Sequence, residues 1–150
     1  MESVNNTMTT TEQLTQVFYD NFVAYYRSHA AHVNIEGRNF TSDHALLGGI
    51  YESLQDQIDI LGELLRTLAA YMPTDIFDIL DNSHIKPKAI EGSADELLQA
   101  VLDDLEQLKE CYIALDEIAD EEEHDEIANY AQDRILAIAK QIWQLKSTLG

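Results

Sequence analysis

Apolar residues recur along this chain every three to four positions, in long series separated by short polar breaks. That spacing collects them on one face of an α-helix, which turns once in about 3.6 residues. The first series is Leu14, Val17, Phe18, Phe22 and Tyr25. Thr9, Thr10 and Thr11 stand before it with Glu12 behind them, a capping arrangement. A helix is therefore predicted from about residue 11 to the mid-thirties, with Gly37 as the glycine that ends it. The second series, Leu47, Ile50, Tyr51, Leu54, Ile58, Leu61, Leu65 and Leu68, predicts a longer helix from near Asn39–Thr41 to Pro73. Gly48 and Gly49 lie inside it, at about 1 kcal/mol each relative to Ala. They mark either a tolerated weak point or the close approach of a neighbour.

Residues 73–92 are irregular in pattern. PTDIFDILDNS predicts a short helix, and HIKPKAIEGS a loop ending at a Ser93 cap. A third long helix follows with Leu97, Leu98, Val101, Leu105, Leu108, Tyr112, Leu115 and Ile118. The strongly acidic run Asp116–Glu126 interrupts the apolar pattern, which resumes as Ile127, Tyr130, Ile135, Ile138, Ile142, Trp143 and Leu149. The expectation is an all-α four-helix bundle whose second and third helices are joined by a long crossover carrying a short helix. Residues 1–10 read as a flexible N-terminal tail and 11–150 as the bundle.

Composition narrows the function classes. Hydrophobic residues make up 45% of the 150, ordinary for a globular domain. No apolar run approaches the roughly 18 residues of a membrane span, so no membrane role is expected. The start MESVNNTMTTTEQL has neither a basic nor an apolar leader segment. The single Cys111 offers no disulfide framework and no thiolate metal site, and reads as a small buried apolar residue. A cytoplasmic location is the expectation. Net charge is −19, a surface that repels phosphate and anionic membrane while attracting cations.

Candidate chemistry is concentrated in HVNIEGRNFTSDHALLGGIYESLQDQIDILGE, residues 32–63. His32 and His44 are twelve residues apart, and Asp59 and Glu63 fall on one helical face at i, i+4. Imidazole and carboxylate together suit iron, manganese or zinc. His44 and Asp59 are separated by roughly 22 Å along a helix rising about 1.5 Å per residue, so one ion cannot reach both within one chain. If the four residues form one site, two antiparallel copies of the helix must build it, giving two identical sites in a twofold dimer. His29 is assigned only packing or support for His32, while His84 and His124 have no evident partner.

The pattern H-V-N-I-E-G-R-N-F-x-x-x-H, followed by Y-x-x-x-x-x-x-x-D-x-x-x-E, resembles the signature of the Dps miniferritins, the DNA-protection-during-starvation family. The likeness runs through nearly the whole chain, including SHIK after the short helix and the closing KQIWQLKSTLG. It implies a ferritin-like fold and a hollow dodecamer built from twofold dimers. It implies a ferroxidase that oxidises Fe(II), with hydrogen peroxide preferred and dioxygen slower, and stores ferric mineral inside. Carried over, His32 and His44 are the metal ligands of one subunit, and Asp59 and Glu63 those of its partner. The family commonly has an acid at the position of Gly48, often another at Gly49, and Trp at Val33. Asp120 and Asp125 fall where the family lines iron-entry pores, with Asn129 in place of a further acid.

Direct DNA binding is not expected, because no basic residue precedes Arg27 and only Lys146 lies near the C-terminus. Two other readings stay open: a ferritin-like shell or scaffold without catalysis, favoured by Gly48 and Val33, and a protein that sequesters zinc or manganese without redox turnover.

Overall fold

A computed structural model describes residues 8–150. Its elements are α1 (Thr10–Asn34), α2 (Phe40–Thr67), α3 (Ile76–Asn82), α4 (Ala94–Glu121) and α5 (Asp125–Leu149). The helices α1 and α2 form one hairpin, α4 and α5 another, and α1 lies against α4. The crossover between the hairpins carries α3, which rests on α1. This is the expected four-helix bundle with a crossover, and the described residues contain no strand.

Local chemistry sets most of the boundaries. A capping box opens α1: Glu12 N–H donates to Thr9 Oγ1 at 3.1 Å and Thr9 N–H to Glu12 Oε1 at 2.9 Å. Ser93 and Glu96 form the same device at the start of α4, as the Ser93 cap predicted. Asp75 caps α3 by accepting from Phe77 N–H at 2.9 Å. The expected N-terminal tail lies mostly outside the described residues; Thr9 is the cap of α1, and Thr10, its first residue, is buried.

Two helix ends differ from the reading of the sequence. Gly37 does not end α1, which stops at Asn34 on an extended Ile35; Gly37, at φ 127°, instead bends the connection into α2. Pro73 does not close α2 either. The helix ends six residues earlier, where Ala69 N–H donates to Arg66 O and Ala70 N–H to Leu65 O, both at 3.0 Å. These are the paired bonds of a Schellman cap, and they put Ala69 at φ 62°. The acidic run is mostly helical: α4 continues to Glu121, and a second Schellman turn with Glu123 at φ 64° leads into α5.

Apolar faces meet as the spacing required. Leu14, Val17 and Phe18 of α1, Leu54, Leu61 and Leu65 of α2, Leu105, Leu108 and Tyr112 of α4, and Ile127, Ile138 and Leu145 of α5 share one core. Trp143 is the exception: Ile142 next to it is buried, whereas Trp143 is 62% exposed. Its place in the stripe was wrong by one position, about 100° of helix rotation. Buried polar contacts fix the crossover. Arg27 Nε donates to Asp104 Oδ2 at 2.7 Å and Nη1 to Lys88 O at 2.6 Å, tying α1, α4 and the loop together.

Candidate metal centre

The short turn between α1 and α2 brings the last turn of one helix against the first turns of the next. His32 and His44 therefore meet across it, rings stacked with centroids 3.8 Å apart and planes 15° from parallel. Each fixes the other through the backbone. His32 Nδ1 donates to His44 O at 2.6 Å, and His44 Nδ1 to His32 O at 2.7 Å. A carbonyl oxygen only accepts, so each neutral ring carries its proton on Nδ1 and keeps an Nε2 lone pair free. Both imidazoles are half-buried.

Aromatic rings extend this stack on both sides. Phe40 lies on His44 at 4.9 Å, and Tyr51 is 5.0 Å from His32. His29 stacks on Tyr51 at 3.9 Å and bonds to the Tyr25 hydroxyl at 3.0 Å, in keeping with the packing role assigned to it. Gly48 explains itself here. A Cβ at that position would lie 3.0 Å from His32 Cε1 and 3.2 Å from Nδ1, so the close-approach reading applies. Nothing lies within 4 Å of a Cβ at Gly49, which is the tolerated weak point.

Asp59 and Glu63 are exposed, one turn apart on α2. Within one chain they do not join the histidines: among the described residues, no group of three ligand-bearing side chains includes any of the four. Asp120 and Asp125 are exposed on either side of the α4–α5 turn, with Glu121, Glu122 and Glu123 between them and Asn129 one turn on. Glu122 accepts from Thr10 N–H at 2.8 Å and Thr10 Oγ1 at 2.6 Å, and those bonds hold its carboxyl below the usual range.

One cluster went unread in the sequence. His84 does have a partner: its Nδ1 lies 3.0 Å from Asp20 Oδ2, and its N–H donates to Oδ1 at 2.8 Å. Cys111, buried as expected, completes a group whose ligand atoms all lie within 4.8 Å of one another. The available signal was Asp20 itself, a carboxylate on the apolar face of α1 between Phe18 and Phe22, where only a specific partner makes burial tolerable. His124 Nδ1 stands 4.0 Å from Glu126.

Known proteins share the fold that carries these residues. The ferritin-like domain family matches residues 11–150. The "DNA protection during starvation protein" of Helicobacter pylori is 24% identical over 144 residues, 95% of this chain and 100% of that protein. "General stress protein 20U" of Bacillus subtilis is 29% identical, covering 85% of this chain and 88% of its own. The crystal structure of Helicobacter cinaedi CAIP superposes with a TM-score of 0.87 at 31% identity, over 94% of this chain and 99% of that one. In fold and in a match that spans residues 11–150, the chain belongs to the ferritin-like family, in its Dps branch.

Proposed function

We propose that this protein is a miniferritin whose substrate, Fe(II), binds and is oxidised at sites shared between two subunits. His32 and His44 of one subunit and Asp59 and Glu63 of its partner are the ligands. The observation that carries this reading is the reciprocally tied histidine pair, which leaves both Nε2 atoms open with no further ligand grouped with them among the described residues. Exposed apolar side chains beside the pair support a partner there. Tyr26 and Val33 of α1 and Phe40 of α2, which stacks on His44, are between 42% and 66% exposed. Tyr26 and Val33 also line a shallow groove of 270 Å³ with His29.

Neutral imidazole holds the ferrous ion, and carboxylate oxygen favours the harder ferric product. Each Fe(II) gives up one electron, two together reducing one hydrogen peroxide to water, with dioxygen the slower oxidant. Ferric ion then passes inward and is stored as mineral within a dodecameric cage. Asp120 and Asp125 are proposed to line the entry pores, where repeated carboxylates draw cations in. With Gly48 beneath His32, no acid from that position reaches the site, so a second iron is held less firmly than the first. DNA is not bound directly, since counterion release needs cationic side chains and the chain carries −19.

The test is stopped-flow oxidation of Fe(II) by peroxide with Asp59→Ala/Glu63→Ala. Loss of the rapid phase with an intact particle is expected. Oxidation at the wild-type rate would overturn the assignment.

A further inference from the structure

Asp20 is fully buried, yet no Lys or Arg pairs with it among the described residues; its charged-group contact is His84. A buried carboxylate in that position calls for a cation. The polar groups around it are arranged as an outer shell. Gln16 Nε2 (3.0 Å) and His84 N–H (2.8 Å) both donate to Oδ1, which leaves Oδ2 facing His84 Nδ1. Gln13 Nε2 donates to Cys111 Sγ at 3.4 Å and to Cys111 O at 3.1 Å, fixing the sulfur from behind. Such second contacts orient ligands. Without an ion the His84 Nδ1–H donates to Oδ2 at 3.0 Å, and an ion between them replaces that hydrogen bond, the imidazole then carrying its proton on Nε2. The His84 side chain is 54% exposed, which provides an entry path and room for a water in a fourth position.

We propose that Asp20, His84 and Cys111 form a metal site within one chain, separate from the intersubunit iron site and selective for a zinc-class ion. One oxygen, one nitrogen and one sulfur plus water make a four-coordinate set, and thiolate is the ligand that distinguishes zinc from the hard oxygen-loving ions. On binding, the Cys111 thiol gives its proton to solvent as the metal–sulfur bond forms, so one proton is released per ion at this ligand. The three ligands come from α1, from the residue following the α3 cap, and from α4. An ion here pins the crossover, just after α3, to both hairpins of the bundle.

Cys111 is the chain's sole cysteine, so a thiolate-to-metal charge-transfer band reports this site and no other. The experiment is titration of the metal-stripped whole protein with Co(II), followed by near-ultraviolet and visible absorption. Expected is a sulfur-to-cobalt band saturating at one equivalent per chain and displaced by Zn(II). It should vanish in Cys111→Ser and fall at least several-fold in His84→Ala, whose Fe(II) oxidation is unchanged. No sulfur-to-cobalt band in the wild-type protein, or an equally strong band in His84→Ala, overturns the proposal. Because the band does not depend on His32, His44, Asp59 or Glu63, its failure and failure of the ferroxidase reading are distinguishable.

Discussion

Replacing Gly48 and Gly49 by Ala, one at a time, separates helix propensity from the packing of His32. Either substitution in a helix interior gains about 0.8–1.0 kcal/mol from propensity alone. At Gly49 the new methyl meets nothing within 4 Å, so the full gain is expected. At Gly48 the Cβ would stand 3.0 Å from His32 Cε1, whereas carbon atoms rest at about 3.5–4.0 Å. The ring has to retreat by roughly half an ångström. It cannot do so freely, being stacked on His44 and bonded to His44 O at 2.6 Å. Loss of that bond costs about 0.5–1.5 kcal/mol, enough to cancel or exceed the propensity gain. The assay is urea unfolding at fixed protomer concentration, paired with Fe(II) oxidation rates. Gly49→Ala should be about 1 kcal/mol more stable than wild type with its rate unchanged. Gly48→Ala should be neutral or destabilised and oxidise roughly tenfold more slowly, because a ligand is misplaced. Equal stabilisation of both variants, with equal rates, would refute the claim that Gly48 exists to seat His32.

Other expectations follow from single contacts. Asp104→Ala leaves Arg27 buried without its partner and should cost about 3–5 kcal/mol in chemical unfolding. Ala69→Gly removes a left-handed alanine from the end of α2 and should stabilise by about 1 kcal/mol, read as a shift in the urea midpoint. The carboxyl of Glu122 is depressed first by the side-chain and then by the backbone hydrogen bond of Thr10. Its stabilisation is therefore complete above about pH 4.5 and disappears as pH falls through the lower folded value. Protection from hydrogen exchange at the start of α1, relative to the intrinsic rate at each pH, should fall across that acid range, and Glu122→Gln should remove that fall.

Helices were legible because burial demands a 3.6-residue repeat, and the repeat survives in every long element. Their ends were less so. Pro73 and Gly37 are conspicuous, but α2 is stopped by backbone bonds at Ala69 and Ala70, which leave no mark in side-chain type. Trp143 misled because its bulk stands beside Ile142 at the edge of the buried stripe. The two histidines stood out by their spacing and were joined as ligands of one subunit through the family resemblance, but that their rings stack across the α1–α2 turn is seen only in the folded chain. Gly48 had two meanings until the His32 ring was placed over it. Asp20, His84 and Cys111 were out of reach, since no local pattern links α1, the crossover and α4. Only the anomaly of an acid on an apolar face pointed there.

Each proposed iron site takes histidines from one subunit and carboxylates from another. Co-assembly of His32→Ala/His44→Ala subunits with Asp59→Ala/Glu63→Ala subunits tests it directly, each variant alone being inactive. In equal mixtures half the dimers pair unlike subunits, and each of those holds one intact site of two. Roughly a quarter of the wild-type oxidation rate should return in the mixed particle. Mixed particles with no activity above either parent would contradict the shared site.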